Sequence, residues 1–336
     1  FPIEVEGTLE GLTKDTPKDI YGELNLVNKL DIDQSDLAGT SLDITVTVSS
    51  FNCNAVKENL PVSSENLSTE LIGGLYRYQG SKDEVDDNYI CFGTSDADTC
   101  KANEDTYMYR IIGVTPDGQM KVIKKTELTT MRWWTDDQTD VPWTNSLIYQ
   151  GINGSAYLTN TTYVPSGWED KIETRYWKFG QMTFEDLGTF LPSETLLQDM
   201  STWTGEKLYN IEENFKTGIE SKIGLMQVHD FYYQNESWTC VRDTTTGESS
   251  ECINGWLNIL NNDSTPTYEY GYEWMMTYYS YKLVNNGYRA WSAFSDYGYA
   301  SFDDLRFDNG VRPVFYLTSG LTITGEGTLD SPYMIN

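Results

Sequence analysis

Short apolar runs separated by polar stretches rich in Gly, Asn, Ser and Asp recur along the whole chain, and few of them are long enough for a helix. SLDITVTV (41–48) alternates with period two, as a half-buried strand does. YMYRIIGVTPDGQMKVIKK (107–125) has two apolar runs joined by Thr115-Pro116-Asp117-Gly118, and predicts a hairpin with a tight turn. LYRYQG (75–80), EWMMT (273–277), RAWSAF (289–294) and GVRPVFYL (310–317) read as buried strands. The best helical text is ETLLQDMSTWTGEKLYNIEENFKTGIESK (194–222), interrupted by Gly205 and Gly218, with a shorter helix-like SLIYQGIN at 146–153. NCNAVKENLPVSSENLSTELIGG (52–74) is polar and reads as a connection. The pattern predicts an α+β chain in two parts: a small N-terminal β-rich segment with its connection, 1–73, and a larger domain, 74–336.

The text changes character between Tyr268 and Tyr299, where nine tyrosines fall within 32 residues. They sit among Ser, Asn, Asp and Gly, between the apolar segments. Tyrosine interleaved with small polar residues is the composition of a recognition surface, because each ring offers a large contact area while freezing only two torsions. The same composition also suits a β domain with aromatic strands and polar turns. The recognition reading assigns ligand contact to Tyr278, Tyr279, Tyr281, Tyr288, Arg289, Tyr297, Tyr299, Asp303 and Arg306, displayed on loops between the EWMMT, RAWSAF and GVRPVF strands. Trp274, Trp291 and Arg312 lie inside apolar runs and are expected to be structural. Arg312 is expected to bond backbone carbonyls or a carboxylate beneath the binding face.

Composition narrows the partners. The chain has 336 residues, 51 acidic against 23 basic, a formal net charge of −28 and a pI near 4.2. Such a surface repels nucleic acid and anionic lipid, so neither is expected as a partner. No run of 18 apolar residues is present, so no membrane span is expected in this chain. The opening FPIEVEGTLEG has no leader pattern, and an export signal or anchor is expected upstream. Cys91 and Cys100 bracket one short polar loop, and Cys240 and Cys252 another, while Cys53 stands alone. Two close pairs predict local disulfides, each worth roughly 2.5–3 kcal/mol by loop closure, and an oxidising, extracellular setting. Zinc, the competing reading, wants CxxC spacing or clustered histidines, and His229 is the chain's one histidine.

Reactive chemistry is thin. The DIDQSD run places Asp31, Asp33 and Asp36 in a calcium-loop order, yet the sixth-position glycine is missing and Leu42 stands where a glutamate is needed. It reads as a solvated acidic turn. No GxSxG, P-loop or strand-borne GxGxxG is found, and His229, with no nucleophile motif beside it, reads as a satisfied core histidine. Acidic pairs such as Asp303–Asp304 are what 51 acids give by chance, so a hydrolase is a weak alternative. No enzyme activity, metal or cofactor is expected.

The succession CFG, YMYRIIGVTPDGQMKVIKK, KIGLMQVHDFYY, YEWMMT, AWSAFSDYG and GVRPVFYLTSGLTITGEGTLDSPYMIN resembles a family of bacterial cell-surface, pilin-like ectodomains over roughly residues 74–336. The resemblance rests on the VRPVF strand and the Gly327–Tyr333 tail. The EW and GVRP segments are also similar to the C-type-lectin fold of formylglycine-generating-enzyme-like proteins. That family's oxidase needs a C-terminal cysteine pair, and this chain has no cysteine after Cys252. The same fold carries the hypervariable receptors made by diversity-generating retroelements, which the tyrosine-rich alternation resembles. What these resemblances imply is an extracellular adhesin or display module, anchored by a segment outside this chain, that binds a protein or glycan ligand. The alternatives are a self-assembling subunit of a pilus-like fibre and a carbohydrate-active hydrolase.

Overall fold

The Thr115–Gly118 turn closes the hairpin as its chemistry dictates. Gly118 adopts a positive φ of 85°, and its N–H reaches the Thr115 carbonyl at 2.9 Å. The Thr115 hydroxyl accepts the Gln119 N–H at 2.9 Å, which ties the corner a second time. The protein is described here by a computed structural model covering residues 62, 67–136, 139–180, 182, 186, 203–240, 250–261, 272–279 and 288–336. SLDITVTV, DIDQSD, Cys53 and Tyr281 lie outside the described residues.

In chain order the described strands are β1 (Tyr76–Arg77), β2 (Tyr89–Cys91), β3 (Met108–Val114), β4 (Met120–Lys124), β5 (Thr129–Met131), β6 (Ile172–Glu173), β7 (Arg175–Lys178) and β8 (Gly218–Ser221). They continue with β9 (Tyr272–Tyr279), β10 (Arg289–Phe294), β11 (Tyr299–Asp304), β12 (Asn309–Val311), β13 (Val314–Leu317), β14 (Ile323–Thr324) and β15 (Tyr333–Ile335). The helices are short: α1 (Ala97–Ala102), α2 (Glu104–Tyr107), α3 (Leu147–Ile152), α4 (Gly205–Glu213), α5 (Val228–Tyr232) and α6 (Ser250–Ile253). The class is α+β, with few helices and several sheets. An eight-stranded sheet runs β14-β15-β2-β3-β4-β13-β6, with β1 beside β3. A five-stranded sheet runs β11-β10-β9-β12-β5, and β7 pairs with β8 alone.

The β12–β13 passage links the two larger sheets, since GVRPVFYL supplies β12 to one and β13 to the other across Arg312-Pro313. One continuous core joins them, containing Ile111, Val122, Phe315, Trp133, Trp274, Met276 and Trp291. Val62 and Leu67, in the stretch that reads as a connection, also belong to this core, and Leu67 bridges to Tyr78. The helical text of 194–222 behaves differently from its periodicity. Thr204 caps α4 by accepting the Lys207 N–H, the helix ends at Glu213, and Gly218 opens β8 instead of interrupting a helix. Gly205 can be nothing larger, because a Cβ there would sit 2.6 Å from the Tyr233 ring.

Candidate functional site

The tyrosine-rich text folds into the β9–β10–β11 ribbon, and its register decides which side chains meet. Phe294 pairs with Tyr272 on one side and Tyr299 on the other, so three aromatic residues line up across three strands. The Tyr272 and Phe294 rings lie 4.2 Å apart, and Phe294 stacks on Tyr299 at 5.5 Å with planes 7° apart. The turn from β10 to β11 adds Tyr297, whose ring lies 5.9 Å from that of Tyr299. Gly298 closes this turn with φ 68°, and the Tyr297 and Gly298 N–H groups both reach the Phe294 carbonyl, at 3.0 and 2.9 Å. Asp296 and Tyr297 are thereby held at the tip, half-buried, beside half-buried Tyr272 and Phe294. Burial raises the Asp296 carboxyl above its ordinary value. Tyr272 is also raised, first by burial and then by Tyr297, Asp303, Tyr299 and Asp296.

The other end of the ribbon has a different chemistry. Arg289 pairs in register with Tyr279 and Asp304 and lies over the Phe302 ring at 5.4 Å. Arg306 is clamped by Asp304 through contacts of 3.0 and 2.7 Å. Strands of this length separate the two ends by about 17 Å.

The described members of the nine residues assigned to ligand contact therefore do not share one face. Tyr297 sits at the aromatic end, while Tyr288, Arg289 and Arg306 sit at the arginine end, the first two half-buried and the third exposed. Tyr278, Tyr299 and Asp303 are buried. Tyr278 stacks on Trp133 and donates its hydroxyl to Asp140. Asp303 accepts from Asn309 Nδ2 at 2.9 Å and from the Asp304 N–H at 2.8 Å. Five of the nine, Tyr278, Tyr279, Arg289, Tyr299 and Asp303, lie in strands and not on the expected loops. Tyr272, Phe294 and Asp296, outside the nine, lie at the aromatic end beside Tyr297 and Tyr299. The signal was present, as SDYG at the joint between RAWSAF and YASFDD marks a turn tip flanked by aromatics.

Beneath the ribbon are buried ion pairs. Arg312 Nε and Nη2 each donate to Glu273 at 2.8 Å, and Nη2 also reaches the Leu257 carbonyl at 2.6 Å. Burial pushes the Glu273 carboxyl up against the pull of Arg312. Trp274 and Trp291 are fully buried, and Trp274 Nε1 donates to the Met131 carbonyl at 2.7 Å. A second network centres on Asp230, which accepts from Arg77 Nη1 and Lys121 Nζ, both at 2.7 Å, with His229 Nε2 at 3.4 Å. Burial raises its carboxyl, but Lys121, His229 and Arg77 together hold it far below the usual range. His229 Nδ1 lies 2.6 Å from Glu212, which also accepts the Val228 and His229 N–H groups at the start of α5. The imidazole is sealed between the Tyr209 and Tyr233 rings, so it braces α4 against α5. Among the described residues no group of three His, Cys, Asp or Glu side chains could hold a metal ion.

A depression of about 550 Å3 runs along α4, lined among others by Asp186, Glu206, Asn210, Ile211, Asn214 and Phe215. Its two carboxylates are solvent-exposed, not turned into a dry cleft. Cys91 is bonded to Cys100 and Cys240 to Cys252, as the spacing predicts, and these bonds are consistent with an extracellular setting. Among the described residues no helix is long and apolar enough to cross a membrane.

These features define a disulfide-stapled α+β protein whose most distinctive surface is the two-ended aromatic ribbon. Compared with protein-family models, curated proteins and solved structures, the chain has no match.

Proposed function

We propose that the protein is an extracellular recognition module of C-type-lectin-like architecture that binds a neutral glycan through the aromatic end of the β9–β10–β11 ribbon. The observation that carries this reading is the constrained turn tip, where Asp296 and Tyr297 stand beside the half-buried Tyr272 and Phe294 rings. Aromatic faces pack against the C–H faces of a sugar, and a carboxylate accepts hydrogen bonds from its hydroxyls. A net charge of −28 disfavours an acidic sugar. The disulfides and buried ion pairs fit a scaffold that leaves the tip to serve recognition.

The test is binding of the intact chain to a panel of immobilised neutral glycans, with Tyr297→Ala and Asp296→Asn beside it. The proposal expects selective binding that either variant weakens by about 1–3 kcal/mol, the range of an aromatic or charged contact. Binding that both variants leave unchanged, or that appears only with acidic glycans, would count against it.

A further inference from the structure

The turn between β11 and β12 is built as a display. The Phe307 N–H bonds the Asp304 carbonyl at 3.0 Å, and the Asp304 side chain accepts the Arg306 N–H at 3.0 Å as well as its guanidinium. Leu305 is fully buried beneath, and its carbonyl accepts the Trp134 N–H at 3.0 Å. Asp308 is held from the side by Arg132 Nε at 3.1 Å. Every neighbour is fastened down, yet Phe307 itself is 46% exposed, one of three large hydrophobic side chains so placed among the described residues.

We propose that this turn is a homotypic contact, in which a second copy of the chain docks about a two-fold axis passing near Phe307. The turn is self-complementary in charge. Arg306, Phe307 and Asp308 place a cation, a ring and an anion in consecutive positions at the tip. A two-fold rotation brings Phe307 onto its counterpart, and Arg306 of each copy onto Asp308 of the other, the reciprocal pattern an isologous interface requires. The location also minimises repulsion. Two chains of −28 repel over most of their surface, but here Arg132 and Arg306 balance Asp304 and Asp308. The contact belongs to the weak, small-interface class. Because the aromatic tip lies about 17 Å away at the opposite end of the ribbon, pairing would leave both tips open and make the dimer bivalent. The inference does not depend on what the aromatic end binds.

Sedimentation velocity on the intact chain tests it, across a concentration series reaching about 1 mM, where contacts of a few kcal/mol become populated. A concentration-dependent monomer–dimer equilibrium is expected, and Phe307→Asp should abolish it. Arg306→Asp and Asp308→Arg should each weaken it at least tenfold, since each places like charges opposite one another twice. An equimolar mixture of R306D and D308R should recover dimer, because both opposed pairs in the mixed species are then of opposite sign. Thermal melts of each variant check that it is folded. A wild-type chain that stays monomeric throughout, a dimer indifferent to Phe307→Asp, or folded single variants whose mixture does not recover would overturn the proposal.

Discussion

Lys124 shows how much the interior asks of single residues. Its amine is fully buried, bonded to the Asp105 carbonyl and to Thr126 Oγ1, and burial lowers it to about 8, helped by Arg312 and Lys125 and opposed by Asp105. In the unfolded chain the same lysine titrates near 10.4, at about its model-peptide value. Between about pH 8 and 10 the unfolded state therefore binds more protons than the folded one, and stability should rise with pH across that window. Denaturant melts at successive pH values should show this rise in the wild type and lose it in Lys124→Met. Asp230 has the same sign of dependence in a lower window. Its depressed folded value contributes stability that is complete above about pH 4 and is lost as pH falls toward that value. Trp274→Ala should cost about 3–5 kcal/mol as a core truncation, read in denaturant melts, and a loss below about 1 kcal/mol would place the side chain at the surface.

Residue types explain which parts of this were readable beforehand. Tryptophan inside an apolar run points inward, and an arginine there needs a buried acceptor, as Glu273 provides for Arg312. The acceptor was hidden among 51 acids, because sequence does not reveal which carboxylate is buried. Tyrosine was ambiguous for a physical reason, since its ring buries well while its hydroxyl needs one partner. Tyr278 satisfies this inside the protein through Asp140, whereas Tyr297 stays at a turn tip.

At the scale of elements, local signals worked where the chemistry was local. The hairpin turn and the two short cysteine loops each closed within a few residues and needed no tertiary information. The helical text at 194–222 folds as a helix over Gly205–Glu213 and departs from it further on, for the converse reason. Its C-terminal part was claimed by the β7–β8 pairing, where Tyr176 lies over Gly218 so closely that a Cβ would meet the ring at 2.5 Å. The β10–β11 turn is the element on which the recognition reading depends. Gly298→Ala should destabilise by about 1 kcal/mol or more, because φ 68° strains any residue with a Cβ. Removing the Cys91–Cys100 bond by double serine substitution should cost about 2–5 kcal/mol, and the C-terminal strand should feel it, since Met334 packs on these cysteines and pairs with Cys91. Faster amide exchange at β15 in that variant would report the coupling.

At the scale of the whole molecule, labour is divided between a stapled, ion-paired interior and a small, half-buried turn tip. Most of the tyrosine-rich text serves the first role: Tyr299 and Tyr278 are buried, and the side chains that remain outside separate into an aromatic end and an arginine end. That separation was invisible in the sequence because it depends on strand register, which pairs Phe294 with Tyr299 and Arg289 with Asp304. The most direct test compares thermal melts of Tyr297→Ala and Tyr299→Ala, two residues apart in the chain. Tyr299→Ala should lower stability by about 3 kcal/mol, the scale of a buried aromatic truncation, while Tyr297→Ala should leave the melting temperature nearly unchanged. Equal, large losses in both would make the tip part of the core and contradict the division between scaffold and recognition surface.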